Sequence, residues 1–181
     1  MGLGDLGRGL SRGLGRGVLL VVALLIGAAA RAAPAESFTG TVTHVTDGDT
    51  VWVRPEASSA RSKPIKLRLV GIDAPERCQA HGAEAGAALA AAVLHRRVEI
   101  RRRATDDHGR ALGTLWLDGE DVGARMVRQG HAWSARFRRD AGPYAREEQQ
   151  ARAAGLGLFA HAAPESPRDF RRRHGPCDAR P

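Results

Sequence analysis

Carboxylates and arginines are concentrated in three short segments of the 181-residue sequence. The segments are DGDT (47–50), LRLVGIDAPE (67–76) and DDHGR (106–110), and each lies at the end of a predicted strand. In the second segment Arg68 stands among aliphatic residues, where burying a cation is costly unless an anion lies opposite it. Carboxylates and guanidinium groups at neighbouring strand ends are residue types that bind a metal cation and a phosphate group.

Asp49 and Asp73 are candidate ligands of a cation. They would meet if the end of the first predicted hairpin adjoins the end of the third strand. Two carboxylates, a backbone carbonyl and water form an all-oxygen site that suits Ca²⁺, whereas the lack of a His/Cys cluster argues against zinc. The alternative is an ordinary Asp-Gly turn, which is the commoner role of DGDT on its own.

Glu76 and two arginines are candidates for the chemistry itself. Beside a cation and a phosphodiester, the Glu76 carboxylate could take a proton from water or simply hold that water in position. Arg68 and Arg110 could each donate paired hydrogen bonds to phosphoryl oxygens as negative charge builds. Singly, such arginines are often surface residues or loop salt bridges, but the occurrence of all three clusters together favours a joint role.

Hydrophobic periodicity predicts the elements that would position these residues. In the third strand, alternation places Arg68 on the face opposite Ile65, Leu67 and Leu69. The order of elements predicts an α+β, mainly β fold, a five-stranded OB-fold barrel with about three packed helices and an open groove that suits nucleic acids. The chain from Pro164 onward is predicted to be irregular. The predicted strands are 38–46, one beginning at 50–53, 65–71, 98–102 and 112–117, and the predicted helices are 79–95, 122–130 and 144–154.

The N-terminal residues 1–33 are predicted to be a signal peptide. Three arginines precede the apolar run Val18–Ala30, which is followed by small residues. This run of 13 residues is shorter than the ~20 apolar residues that a membrane span needs. The protein is therefore expected to be exported to the periplasm or the medium. The alternative is that residues 18–30 stay uncleaved and anchor it to the outer face of the membrane.

Net charge and cysteine content are consistent with that expectation. The chain has 28 Lys+Arg and 20 Asp+Glu, a formal net charge of +8, and arginine suits phosphate-bearing partners; a GC-rich genome would enrich arginine as well. Cys78 and Cys177 could form a disulfide that ties the tail to the acidic turn, although two unrelated thiols remain the alternative.

Four motifs in order carry a resemblance to a known family. DGDT, RLVGIDAPE, DDHGR followed by a strand, and MVRQGHAW resemble the staphylococcal nuclease (thermonuclease) family over about residues 37–163, which leaves 164–181 as a Pro/Arg-rich tail. The resemblance implies Ca²⁺-assisted hydrolysis of DNA and RNA phosphodiesters that leaves 3′-phosphate ends.

The resemblance also implies roles for individual residues. Nucleic acid is then the substrate, no stable protein partner is predicted, and a membrane is a partner only if the N-terminal segment is uncleaved. The implied Ca²⁺ ligands are Asp49, Asp73 and the carbonyl of Ala74, with Asp47 as a supporting acidic residue, and the implied catalytic residues are Arg68, Glu76 and Arg110.

The sequence departs from the family pattern where the substrate's base is held. His108 stands where the family often has tyrosine, and Asp107 where a lysine can stand. Trp133 remains from an aromatic region, but polar or small residues follow it. Because base stacking contributes ~1–3 kcal/mol per base, these departures predict weaker substrate binding.

Two other functions are open on sequence grounds. A non-catalytic OB-fold module that binds nucleic acid is possible because a fold does not fix a function, but such a module has no chemical need for the complete set of two aspartates, two arginines and a glutamate. A membrane-tethered structural protein would explain only the apolar N-terminus.

Overall fold

The computed structural model describes residues 36–57, 63–161, 163–175 and 177. The predicted signal peptide or anchor, residues 1–33, lies outside the described residues and stays a prediction. Within the described part of the chain, no helix combines the length and the apolar character needed to cross a membrane.

Eight strands and four α-helices are found in the described residues. The strands are β1 Glu36–Asp47, β2 Thr50–Pro55, β3 Ile65–Leu69, β4 Ile72–Asp73, β5 Arg97–Thr105, β6 Ala111–Leu117, β7 Glu120–Asp121 and β8 Trp133–Ser134. The helices are α1 Gly82–Val93, α2 Val122–Arg128, α3 Ala145–Ala153 and α4 Pro167–His174, and a 3₁₀ helix spans Gly157–Ala160.

Five of the strands form a closed barrel. β1 pairs antiparallel with β2 and β5, β2 pairs antiparallel with β3, and β5 pairs antiparallel with β6. β3 and β6 then pair in parallel and close the sheet, and β7 extends it beyond β6. The predicted mainly β, five-stranded OB-type barrel with packed helices is therefore confirmed.

Alternation along the strands separates the barrel interior from the face that carries polar side chains. In β3, Leu67 and Leu69 are buried while Lys66 and Arg68 are partly exposed, as a period of two requires. α1 packs on β1 and α2 packs on β6. Burial of aliphatic side chains is the main stabilising contribution, and the core includes Val42, Val51, Leu67, Leu69, Leu89, Val93, Ile100, Leu115 and Met126.

The turn between β1 and β2 requires glycine at position 48. A Cβ on Gly48 would lie 2.7 Å from the Cβ of Ala74 and 2.8 Å from the Cβ of Ala85. Because a side chain is absent, the turn packs directly against the segment after β4 and against α1. This close packing brings Asp49 beside Ala74.

The C-terminal tail differs from the prediction, because Pro167–His174 forms helix α4. Ser166 caps the helix by accepting a hydrogen bond from the Asp169 N–H, proline occupies the first turn, and Gly175 follows with φ 73°. The prediction of an irregular tail was wrong because a short, mostly basic helix offers little apolar periodicity. The residues that could have identified the helix are those that start and end it, namely Ser166, Pro167 and Gly175.

Candidate active site

Asp49 lies in the turn between β1 and β2. Its N–H donates to Asp47 Oδ1 at 3.1 Å, which fixes the turn. The Asp49 carboxylate accepts hydrogen bonds from Thr50 Oγ1 at 2.8 Å and from Arg68 Nη1 at 2.9 Å. It also accepts one from the Ala74 N–H at 3.3 Å. Since Asp49 is only 3% exposed, its carboxylate is buried, and these hydrogen bonds fix its orientation.

Arg68 bridges two aspartates. The register of β2 and β3 places Thr50 opposite Arg68, so the guanidinium group reaches the β1–β2 turn. Nη1 lies 2.9 Å from Asp49 Oδ1, and Nη2 lies 3.2 Å from Asp73 Oδ1. Burial lowers the pKa of Arg68, but the negative charges of Asp49, Asp73 and Asp47 outweigh burial and raise the pKa above its ordinary value. The anion that Arg68 requires is thus a pair of carboxylates.

Asp73 ends the short strand β4, where it pairs with Trp133 of β8. The turn that leads to it contains Gly71, with φ 85°. A Cβ at this position would lie 2.8 Å from atoms of both Pro143 and Tyr144. Only glycine fits this conformation and this space, and the turn aims Asp73 back at Arg68.

Burial raises the pKa of both aspartates. The pKa of Asp49 rises to about 7, although the positive charge of Arg68 lowers it. The pKa of Asp73 is also raised by burial, against the lowering effect of Arg171 and Arg68. Each carboxylate therefore carries its negative charge at a cost in free energy, and a bound cation would reduce that cost.

Glu76 is held in a turn by Gln79. The Glu76 N–H donates to Gln79 Oε1 at 3.1 Å, and the Gln79 N–H donates to the Glu76 carbonyl oxygen at 2.8 Å. Because residues 77–81 form this turn, α1 begins at Gly82 and not at Gln79 as predicted. The Glu76 side chain is 26% exposed, so its carboxylate can reach both water and a ligand.

Arg110 is oriented by Asp106. Arg110 Nε donates to Asp106 Oδ2 at 2.7 Å. The N–H groups of Arg110 and His108 donate to Asp106 Oδ1 at 2.9 Å and 3.0 Å. Burial raises the pKa of Asp106, but these hydrogen bonds outweigh burial and lower the pKa below its ordinary value. Asp106 therefore stays ionised and holds one edge of the Arg110 guanidinium group.

Most of the predicted site residues meet in one cleft of about 670 Å³. Asp73 instead lines a neighbouring cavity of about 700 Å³ and is joined to the cleft residues by its hydrogen bond to Arg68. Cationic side chains and carboxylates line the same cleft. This combination suits a ligand that contains both a phosphate and a metal ion. The residues that line it are Asp47, Asp49, Lys66, Arg68, Ala74, Pro75, Glu76, His108, Arg110 and Arg171.

Three residues near the site were missed in the sequence. Lys66 lies two residues before Arg68 on the same face of β3, so the period of two could have identified it. Gln79 joins the Glu76 turn to the carbonyl oxygen of Glu165, 86 positions away, and Arg171 contacts Glu76 across 95 positions. No local pattern signals contacts over such separations.

Cys78 and Cys177 are joined by a disulfide bond. The Cys78 N–H also donates to Cys177 Sγ at 3.0 Å. Since Cys78 follows Glu76 by two positions, this bond fastens the chain beyond α4 to the turn that carries Glu76. The two cysteines of the chain are both used in it.

The donor chemistry at Asp49 and Asp73 fits a hard cation. Among the described residues, no group of three or more His, Cys, Asp or Glu side chains is arranged to hold a metal. A cation at this site would take carboxylate oxygens from Asp49 and Asp73 and complete its shell with a main-chain oxygen and water. Oxygen donors with costly buried negative charge suit Ca²⁺ rather than a softer metal.

Trp133 is buried and does not line the cleft that contains Arg68, Glu76 and Arg110. It is 7% exposed and packs edge-to-face on Phe159, with ring centroids 6.2 Å apart. Together with Ala151 and Leu158 it forms a small second core. The aromatic residue that the sequence retains in the base-holding region thus has a packing role here.

Comparison with known proteins identifies the family of the chain. The profile of the family described as staphylococcal nuclease homologue matches residues 66–161. Protein ParB of Escherichia coli is 40% identical over 144 aligned residues, which cover 74% of this chain and 78% of that protein. An uncharacterized endonuclease of Haemophilus influenzae is 32% identical over 156 residues, covering 86% and 85%. A micrococcal nuclease of Shigella flexneri is 32% identical over 147 residues, covering 75% and 81%. The chain therefore belongs to the staphylococcal nuclease homologue family.

Proposed function

We propose that this protein is a Ca²⁺-dependent nuclease that hydrolyses phosphodiester bonds of DNA and RNA and leaves 3′-phosphate ends. The observation that carries the proposal is the single cleft in which Asp49, Arg68, Glu76 and Arg110 converge. A module that only binds nucleic acid needs the arginines but has no use for a carboxylate beside them.

The arginines bind the scissile phosphate. Arg68 donates one N–H to Asp49 and one to Asp73, and a guanidinium group has five N–H donors in all. Its remaining donors can reach a phosphoryl oxygen without release of the carboxylates. Arg110, held at Nε by Asp106, presents its two terminal nitrogens to the same phosphate. Both cations stabilise the negative charge that builds on phosphorus-bound oxygens.

Glu76 acts on the attacking water. Its partly exposed carboxylate accepts a hydrogen bond from water and either takes the proton or holds the oxygen in line with phosphorus. The water oxygen bonds to phosphorus, the bond from phosphorus to the 5′-oxygen breaks, and the 5′-oxygen takes up a proton from solvent to become a hydroxyl, while the 3′-oxygen keeps the phosphate. Gln79 keeps the Glu76 main chain in place during this step.

Asp49, Asp73 and the main chain at Ala74 would hold the metal. When bound, Ca²⁺ would supply Lewis-acid polarisation of the phosphate and help to orient water. The enclosed carboxylate of Asp49 and its raised pKa support this assignment.

The decisive experiment is digestion of heat-denatured DNA with Ca²⁺ and then with EGTA. Hydrolysis is expected with Ca²⁺ and should stop with EGTA; undiminished cutting in EGTA would reject the metal assignment. Glu76→Gln should lower kcat by at least ~10²-fold while the melting temperature is retained. DNA binding without any cutting by the wild-type protein would favour the non-catalytic binding module.

We also propose that the protein is exported, to the periplasm or the medium. The disulfide between Cys78 and Cys177 supports this, because such bonds persist in oxidising compartments and are rare in the cytosol. Fractionation of cells that express the full chain tests the proposal, since exported protein would be found outside the cytoplasm and shortened at its N-terminus.

A further inference from the structure

Helix α4 delivers a third arginine to the cleft. The guanidinium group of Arg171 forms an ion pair with Glu76 through Nη1 and Oε1, and Nη1 lies 3.9 Å from Asp73 Oδ1. Arg171 also lines the cleft that contains Arg68 and Arg110. Of the α4 arginines, the other three line the neighbouring cavity: Arg168, Arg172 and Arg173.

The segment that carries Arg171 is fastened on both sides to the Glu76 turn. Before α4, the carbonyl oxygen of Glu165 accepts a hydrogen bond from Gln79 Nε2 at 2.7 Å. After α4, Cys177 is bonded to Cys78. Two independent attachments therefore set the position of Arg171 relative to Glu76, and one of them is covalent.

The ion pair between Arg171 and Glu76 is exposed enough to exchange partners. The Arg171 side chain is 40% exposed and that of Glu76 is 26% exposed, and ion pairs as exposed as this one contribute little to stability. A phosphate that enters the cleft offers Arg171 a doubly hydrogen-bonded partner, which guanidinium groups favour. Moving toward the phosphate would also leave the Glu76 carboxylate free to contact water.

We propose that Arg171 is a substrate-binding residue that contacts a phosphate of the nucleic acid, and that the Cys78–Cys177 disulfide holds it in the cleft. The identity of the ligand as nucleic acid rests on the proposed function. The C-terminal segment is then part of the active site, and the complete site forms only in the oxidised protein.

Binding of a short fluorescein-labelled single-stranded DNA, measured by anisotropy in EGTA, tests this directly. Arg171→Gln should weaken binding by roughly tenfold, the effect of losing a charged hydrogen bond. It should also reduce the slope of log Kd against log salt by ~0.7, the value for one lost phosphate contact on a single strand. Arg171→Lys keeps the charge but loses the paired donors, so it should keep the salt slope and bind with intermediate affinity.

Arg172→Gln is the matched control because it removes the same charge from the same helix. Arg172 pairs with Asp169 at 3.0 Å and is 71% exposed. This variant should leave affinity and salt slope close to those of the wild type. Equal losses in both variants would reduce the effect to net charge and overturn the assignment of Arg171.

The double variant Cys78→Ala/Cys177→Ala tests the second half of the proposal. It should bind as weakly as Arg171→Gln, and adding Arg171→Gln to it should cost little more, because both changes remove the same contact. A melting curve of the double variant checks that the barrel remains folded. Wild-type affinity in the double variant would overturn the role of the disulfide.

Two results with Arg171→Gln would overturn the proposal outright. Unchanged affinity and salt slope would reduce Arg171 to an ion-pair partner of Glu76, and tighter binding or faster hydrolysis would mean that it obstructs the cleft. Binding in EGTA does not depend on hydrolysis. A wild-type protein that binds but never cuts would therefore reject the nuclease proposal, while the comparison of variants still decides the role of Arg171.

Discussion

Arg68 Nη1 and Asp49 Oδ1 are 2.9 Å apart, at the boundary between the barrel and the cleft. The Asp49 side chain is 4% exposed, whereas that of Arg68 is 26% exposed. One partner is therefore enclosed and the other reaches solvent. The pair links the carboxylates proposed to hold a cation with a guanidinium group proposed to bind phosphate, so a change at one position should affect both functions.

Ca²⁺ should raise the melting temperature of the protein. A ligand that binds only the folded state contributes ~2.7 kcal/mol at a concentration 100 times its Kd, which corresponds to a shift of about 5–10 °C for a chain of this size. Asp73→Asn should lose most of the shift because it removes one of the two carboxylate ligands. The measurement is thermal unfolding with Ca²⁺ and with EGTA.

Asp118→Asn is the control for that experiment. Asp118 is 78% exposed and lines a different cavity, so this variant should keep the full Ca²⁺ shift. If Asp73→Asn shifted as much as the control, the cation would have to bind without Asp73.

Asp106→Asn should lower kcat/KM by roughly tenfold without unfolding the protein. The amide oxygen can still accept from the His108 and Arg110 N–H groups, so the turn is kept, but the anionic partner of Arg110 Nε is lost. Arg110 then samples orientations that do not face the phosphate. Asp107→Asn, an exposed neighbour in the same loop, should remain active; an equal loss in both variants would contradict an orienting role for Asp106.

The contribution of Asp106 to stability should depend on pH in a defined direction. Burial raises its pKa, but hydrogen bonds from Arg110 and His108 lower it below the ordinary value of 3.8. A folded-state pKa below the unfolded-state value means that the stabilisation is complete above about pH 4 to 5 and is lost as pH falls further. The difference in unfolding free energy between the wild type and Asp106→Asn, measured in urea, should therefore shrink as pH falls below about 4. A difference that stays constant as pH falls through this range would show that the carboxylate charge does not contribute.

The barrel could be predicted from sequence because its signals are local. In β3, the alternation of Leu67 and Leu69 with Lys66 and Arg68 gives both the strand and its two faces. The turns around Gly48 and Gly71 are marked by their residue types. For the same reason Arg68 was correctly placed on the face opposite the core. Its ion pairs with Asp49 and Asp73 were not predicted, because no local pattern reports which side chains meet where separate strands end.

What sequence reasoning missed depends on long-range packing. Arg171 resembles every other arginine of the tail, and only the attachments at Cys78 and Gln79 select it for the cleft. From the sequence, Trp133 is a candidate for base stacking, whereas in the structure it packs edge-to-face on Phe159. In both cases the deciding neighbour is distant along the chain, and no period or turn motif reports it.

Gly48→Ala tests whether close packing of the β1–β2 turn positions Asp49. The added Cβ would lie 2.7 Å from the Cβ of Ala74 and 2.8 Å from that of Ala85, so the turn must move. Overpacking of this kind costs ~1–3 kcal/mol of unfolding free energy. Activity should fall as well, because the Ala74 N–H and the Asp49 carboxylate would separate from their distance of 3.3 Å.

Gly86→Ala provides the matched control in the same region. Its added Cβ would meet no atom closer than 3.8 Å, and alanine favours a helix over glycine by ~0.5–1 kcal/mol. This variant should keep or gain stability and retain Ca²⁺-dependent hydrolysis, measured by urea unfolding and by release of acid-soluble nucleotides. If Gly48→Ala were as stable and as active as Gly86→Ala, the turn would have room for a methyl group. The position of Asp49 would then depend on its hydrogen bonds to Thr50 and Arg68 rather than on the contact of Gly48 with Ala74.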